Sequence, residues 1–296
     1  MHLKKNQTLT LSTSIFVLLV CIYMVSHRIW FSPDQFFILA IIASLFLGRS
    51  RQFVADWGPF LGFFLGYEFL RSLIPYVSKN VHIFPMIRFD NFVFGYLPTI
   101  KLQTLFYNPA HIQWYDYIAV TLYICHFVAF MGVGFIFWLR DRKYFKKYAE
   151  AVLILSYITF FTYLIFPAMP PWMAAQQGII PPVKEVISVV MAHFMQTKLT
   201  LPSVYSFLGA DPVAAMPSLH AALPTLIFWF VYKKSRPISL LILPYVFGVY
   251  FSVIYLGEHY FADVAAGIVY ATAIFFLLEL RSKKMAKNDD EIAVTG

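Results

Sequence analysis

Two short stretches carry residues able to do chemistry. One is Met216-Pro217-Ser218-Leu219-His220. The other, whose histidine follows 39 residues later, is His259-Tyr260-Phe261-Ala262-Asp263. Four residues is just over one helical turn, so His259 and Asp263 share a face if this stretch is helical. A carboxylate there accepts the imidazole N–H, fixes the tautomer and raises the basicity of the other nitrogen. That arrangement activates a nucleophile or a base, and here the nucleophile can be the histidine itself. A lone histidine at a membrane boundary is ordinarily an interfacial or hydrogen-bonded residue. Two of them, one after Pro-Ser and one with an aspartate at helical spacing, point to a site.

The first stretch suits a phosphate. Pro217 fits a first helical turn, where its missing N–H costs nothing. The free backbone N–H groups of that turn favour an anion. Ser218 adds a hydroxyl donor, and His220 can donate or accept a proton. On this reading His259 attacks phosphorus, Asp263 holds it, and His220 protonates the leaving oxygen. Water or an alcohol then takes the phosphoryl group from a phosphohistidine.

The elements that position these residues follow from composition. The chain has 296 residues, 60% hydrophobic and only 13% charged, against about 25% charged in a soluble domain. Long apolar runs recur along most of it, continuous rather than alternating. The expectation is therefore an all-α polytopic membrane protein with about eight transmembrane helices. They run over about 9–25, 34–47, 58–74, 115–139, 149–166, 217–232, 238–256 and 259–280. The first lacks a small-x-small cleavage site after it and reads as a retained span. Glu68 and Arg71, three apart near the end of the third, suggest a local ion pair.

Residues 76–113 are interrupted by Pro85, Pro98 and Pro109 and read as an interfacial loop. Three prolines in Phe166-Pro167-Ala168-Met169-Pro170-Pro171-Trp172 end the fifth helix. Val183 to Gln196 fits a short interfacial helix. This divides the chain into N-terminal helices (1–75), a catalytic membrane domain (76–280) and a cytoplasmic, disordered tail (281–296). No internal repeat and no soluble domain is evident.

The formal charge of +8 does not imply nucleic acid. The basic residues sit in short clusters between spans, where orientation and anionic lipid contact explain them. With both termini cytoplasmic, sixteen of the 23 Lys and Arg fall inside and seven outside. His220, His259, Asp263, the proline-rich turn and the Arg88-Phe89-Asp90 stretch then all lie on the non-cytoplasmic face. Membrane lipids are the expected substrates; no soluble partner is evident. Cys21 and Cys125 sit inside apolar runs as packing residues. No His-Glu-x-x-His or His/Cys cluster occurs, so no metal or other cofactor is called for, and Glu258 reads as structural. His126, deep in the fourth span, reads as bonded to a neighbouring helix, although an intramembrane ionisable group is also a functional suspect.

Taken together, Met216-Pro217-Ser218-Leu219-His220 and His259-Tyr260-Phe261-Ala262-Asp263 resemble the type-2 phosphatidic acid phosphatase superfamily. The chain is most similar to the branch of inositol phosphorylceramide synthases and related inositol phosphotransferases. The Phe166–Trp172 turn and the Arg88-Phe89-Asp90…Phe94-Gly95…Pro98-Thr99 stretch share in the likeness. The resemblance implies a six-helix core, metal-independent chemistry and a phosphohistidine intermediate. By it, His259 is nucleophile, Asp263 its partner, His220 the general acid, and Ser218 a phosphate ligand. The chain departs from the wider pattern in three places. The Lys and Arg of the first motif are absent from the Pro-Pro-Trp turn. The Ser-Arg ahead of the nucleophile reads Ser252-Val253. Leu219 stands where many members have Gly.

A site stripped of cations matches a singly charged phosphodiester better than a monoester. The expected function is a lipid phosphotransferase moving an inositol-phosphate-like headgroup from a diester lipid to a lipid hydroxyl, with Arg88 as the candidate replacement cation. The alternatives are a lipid or polyprenyl phosphate phosphatase of the same superfamily and, from another class, a transporter or non-catalytic scaffold.

Overall fold

The computed structural model describes residues 33–77, 80–195 and 213–295. The described residues form helices and loops, with isolated backbone bridges only at His82, Ala168 and Ala214. In chain order the helices are α1 Pro33–Phe46, α2 Ser50–Ser72, α3 Ile74–Val77, α4 Phe84–Phe94, α5 Pro98–Phe106, α6 Trp114–Arg140, α7 Arg142–Ile165, α8 Pro171–Gln176, α9 Val186–Met195, α10 Leu219–Lys234, α11 Arg236–Tyr255 and α12 Phe261–Thr295. The prolines explain why so interrupted a sequence stays helical. Four of them, Pro85, Pro98, Pro171 and Pro237, occupy the first turn of α4, α5, α8 and α11, where no intrahelical N–H is needed, while Pro59, Pro224 and Pro244 lie inside α2, α10 and α11.

Three described helices are long and apolar enough to cross a bilayer: α7, α11 and the Phe261–Asn288 part of α12. α6 is a fourth if its two halves form one span; they meet at 47° around position 127. The expectation of eight spans is thus met only in part. α1 has 14 residues and α10 has 16, whereas a span needs about 20. α2 is long enough but carries Arg51, Asp56, Glu68 and Arg71. The expected first span, 9–25, lies outside the described residues. The tail is another difference. α12 continues to Thr295 instead of ending near 280, because Arg281, Lys283, Lys284, Met285 and Ala286 are good helix formers.

α10 is the central element, packed between α11 and α12 and also touching α6 and α7. Around it Trp57, Trp138, Phe145, Tyr148, Leu226 and Phe230 form a largely aromatic core. Within lipid, such an interface is held by close packing rather than by exclusion of water.

The two ends of the bundle differ. At one end, Asp56 accepts from Trp138 Nε1 at 2.9 Å and from Arg142 Nε and Nη2 at 2.6 and 2.9 Å. There too Lys147 and Lys233 both pair with Glu279, and Lys234 pairs with Asp141. Several basic residues first read as lipid contacts are therefore ion-paired across helices.

At the other end the loops knit together through their backbones. His82 N donates to Pro167 O, Met169 N to His82 O, Ala168 N to Val213 O, Trp172 N to Gly257 O and Val186 N to Leu256 O. Segment 76–113 is more than a surface loop: Asp90, Thr99 and Gln103 are buried in this end. α9 likewise buries Val186 and Val190 against Ala119, Tyr255 and Leu256.

Candidate active site

The start of α10 is fixed by three contacts. Ser218 caps the helix, its Oγ accepting from Ala221 N at 3.3 Å. Ser218 N donates to Asp263 O at 2.9 Å. Tyr163 donates its hydroxyl to Pro217 O at 2.8 Å. α12 comes so close that a Cβ on Gly267 would sit 2.3 Å from Ser218 O. Only glycine permits that approach, and it sets the first turns of α10 and α12 side by side.

The start of α12 is held from a distance. Asp90 in α4 is fully buried. Its Oδ2 accepts from Phe261 N at 3.0 Å and its Oδ1 from Ala262 N at 2.9 Å. These are two of the helix's otherwise orphan donors. Burial, with Asp263 adding to it, pushes the Asp90 carboxyl up to about 6; the two N–H bonds oppose the rise. The turn before α12 reverses at Gly257, at φ +87°, a backbone conformation suited to glycine. Gln103 braces this turn: its Nε2 donates to Lys184 O and to Tyr255 O, each at 2.8 Å, and its Oε1 accepts from Lys184 N at 2.8 Å.

On this frame His220, His259 and Asp263 meet. His259 Nδ1 lies 3.5 Å from Asp263 Oδ2. His259 Nε2 lies 3.3 Å from His220 Nδ1. Asp263 is fully buried and His259 nearly so, while His220 is partly exposed. Asp263 Oδ2 also accepts from Tyr260 N at 2.9 Å, which holds the carboxylate under the histidine. A carboxylate beside Nδ1 favours the proton there and leaves Nε2 with its lone pair. That lone pair faces the second histidine.

Ser218 is adjacent, and its side chain serves as the α10 cap. The cap engages an oxygen lone pair and leaves the hydroxyl hydrogen to donate. Arg88 is exposed on α4 and makes no hydrogen bond or ion pair with the described residues.

Three residues near the pair were not chosen from the sequence. Asp90 lay inside a quoted stretch, but a remote cap leaves no local pattern. His126 had been marked as an intramembrane ionisable group. It is fully buried in α6, with its ring centroid 4.0 Å from that of His220. Tyr123 stacks on the His220 ring, at 4.1 Å and 23°. His126 Nδ1 lies 2.5 Å from Tyr123 O. A side chain that takes a carbonyl of its own helix is a recognised cause of bending, and α6 bends here. Arg71 forms the expected ion pair, Arg71 Nη2 to Glu68 Oε2 at 2.8 Å. It is also the arginine whose charge reaches His126 and His220.

Two histidines thus meet at the starts of adjacent helices, one of them backed by a carboxylate. The chain belongs to the PAP2 superfamily, whose family model matches residues 99–277. It is 24% identical over 274 residues to the phosphoinositol dihydroceramide synthase of Bacteroides thetaiotaomicron, covering 89% of this chain and 88% of that protein. It is 31% identical over 117 residues to the inositol phosphorylceramide synthase catalytic subunit of Saccharomyces cerevisiae, covering 38% of this chain and 28% of that one. No solved structure matches. Family and relatives support an integral membrane enzyme acting on lipids, of the lipid phosphotransferase kind, and match the branch that the motifs resemble.

Proposed function

We propose that the protein transfers an inositol-phosphate-like headgroup from a phosphodiester lipid to a lipid hydroxyl through phospho-His259. The observation that carries this is the chain of contacts from Asp263 to His259 Nδ1, and from His259 Nε2 to His220 Nδ1. A phosphate lying against both nitrogens meets a nucleophile on one and a proton donor on the other.

His259 Nε2 attacks phosphorus, and the bond from phosphorus to the donor's lipid oxygen breaks. That oxygen takes the proton from His220 and leaves as the lipid alcohol. The headgroup phosphate stays on Nε2. The acceptor's hydroxyl then gives its proton to His220 and attacks phosphorus, and the P–N bond breaks. Asp263 holds the imidazolium that forms. Ser218 donates its hydroxyl to a phosphate oxygen. Arg71, whose charge acts on His126 and His220, is a second candidate for the missing cation, and Arg88 on α4 meets the headgroup at the interface. Arg71 is already paired with Glu68, so the positive charge on offer is partly spent, which suits a diester carrying one negative charge.

The site faces the non-cytoplasmic side, with both termini cytoplasmic. The test is a donor lipid labelled in the headgroup, incubated with and without a long-chain alcohol acceptor. Label moving to the acceptor supports transfer, and label appearing only in water-soluble phosphate supports the phosphatase. His259→Ala should abolish donor consumption and the trapped phosphohistidine while the protein stays folded. Unchanged turnover in that variant refutes the mechanism and favours a non-catalytic role.

A further inference from the structure

The residues on either side of the proposed nucleophile have no part in the mechanism above, yet both bury polar atoms. Glu258 Oε1 and the Tyr260 hydroxyl are buried and have no hydrogen-bond partner among the described residues. Buried polar groups are nearly always satisfied, and leaving one without a partner costs stability. Two of them flanking one catalytic candidate suggest that their partners arrive with the substrate.

The surroundings say what kind of substrate group fits. Glu258 lies in the turn between α11 and α12, under the Trp172 side chain and near Glu185. Tyr260 belongs to the apolar cluster of Met169, Ile180, Val183 and Met216 that roofs this end. Burial and the charge of Glu185 push the Glu258 carboxyl up to about 8, against a hydrogen bond from Trp172. At neutral pH it is therefore a neutral acid, which donates as well as accepts. A phenol does the same. Groups of that kind pair best with hydroxyls, which also donate and accept. A quaternary ammonium head would call for an ionised carboxylate or an aromatic cage instead.

We infer that Glu258 and Tyr260 form a subsite that recognises the hydroxyls of a polyol headgroup on the donor's phosphate. The inference rests on the phosphotransfer reading and adds to it the residues that select the head. The charged and titratable groups around Glu258 are Glu185 from the segment before α9, His259 in its own turn, and Lys184 beside Glu185. Those around Tyr260 are Asp90 from α4 and Asp263 from α12.

The experiment uses the purified full-length enzyme and measures total donor consumption, so that it does not depend on the acceptor. Three diester lipids with the same tails are compared: one with a polyhydroxylated ring head, one with that ring fully O-methylated, and one with a quaternary-amine head. The readout is the kcat/KM ratio of the first to each of the others. Tyr260→Phe removes one oxygen and keeps the ring, so folding is preserved. It should lower the polyol-to-methylated ratio about tenfold, as loss of one hydrogen bond to substrate does. Glu258→Ala should do the same. Glu258→Gln, which still donates and accepts, should retain most of the ratio.

In the unsubstituted enzyme the ratio should fall as pH rises through about 8, where the carboxyl gives up the proton it donates. Glu258→Gln should remove that dependence. Equal losses on all three lipids in Tyr260→Phe and Glu258→Ala would make these residues structural and overturn the inference. A preference for the quaternary-amine head would overturn it too. The phosphotransfer reading fails separately, if His259→Ala consumes the donors at the normal rate.

Discussion

Replacing Gly267 by alanine tests the positioning argument directly. A Cβ at this position would lie 2.3 Å from Ser218 O, a backbone atom, whereas ordinary contact begins at 3.4 Å. Neither partner is the far end of a flexible side chain, so the helices must separate or slide. The relief needed is about 1 Å, and a displacement of that size at reacting groups costs on the order of 10²-fold in rate. The displaced element is the turn that carries His220, and the Ser218 N to Asp263 O bond of 2.9 Å crosses the same gap. Stability should fall by about 1–3 kcal/mol, as overpacking usually costs. The assay is donor consumption by purified protein, run beside thermal unfolding. Gly62→Ala, with nothing within 4 Å of the new Cβ, serves as the control and should leave both unchanged. If Gly267→Ala folds and turns over at the normal rate, the close approach of α10 and α12 is not what sets the two histidines together.

The other predictions concern residues around and opposite the site. Asp90, titrating at about 6 in the fold against 3.8 for a free carboxyl, should give activity an acid limb near pH 6, because the ionised form caps α12 best. Its raised value means that the folded state holds the proton longer, so stability should decline as pH rises from about 4 to 6; Asp90→Asn should flatten both profiles. Arg71→Ala should lose turnover and also about 3–5 kcal/mol of stability, since Glu68 is left buried without its partner. Adding Glu68→Gln should restore stability but not turnover, and recovery of both would assign Arg71 a structural role only. Asp56→Ala, at the far end, should lower stability by about 2–3 kcal/mol through loss of its bonds to Arg142 and Trp138. Its turnover should stay within about twofold if that network is purely structural.

The parts legible in the sequence were those written in local spacing. His259 and Asp263 are four apart and do meet, at 3.5 Å, but α12 begins only at Phe261, so the turn ahead of the helix brings them together and not a shared helical face. Pro-Ser ahead of His220 reads as a helix start, and Ser218 does cap α10, although Pro217 precedes the cap and does not sit in the first turn. The Glu68–Arg71 pair follows from a separation of three. What escaped was written in three dimensions. Asp90 caps a helix 171 residues away, and no periodicity can announce that. Arg88 is the cation that stretch offers to a phosphate, yet it is exposed on α4 while Asp90 is buried. Among the described residues three or four spans meet the length and composition needed to cross a bilayer, because apolar length in sequence does not show where helices break or carry charge. α10, with 16 residues, is shorter than a full span, and α2 places charge where a lipid-facing helix would have none. α10 can be short because it is surrounded by α6, α7, α11 and α12 rather than by lipid.

Two residues that bear on the site lie outside the family-matched region. The family model begins at residue 99, and both Asp90 and Arg71 precede it. Asp90 satisfies the first donors of the helix that bears Asp263. Arg71 brings positive charge to the histidines from α2, in a chain that lacks the Lys and Arg of the superfamily's first motif and the Arg that usually follows Ser252. The likeness to the Bacteroides synthase extends over 89% of this chain, well beyond the family-matched region. A charge supplied from α2 and already shared with Glu68 is weaker at the phosphate than two or three unshared cations. Such a site loses most on a doubly charged monoester and least on a diester. The proposed preference for a diester therefore depends on Glu68 as much as on Arg71. Glu68→Gln alone should raise the relative rate on a monoester lipid. If that ratio stays fixed while the protein folds normally, the ion pair does not tune the charge of the site.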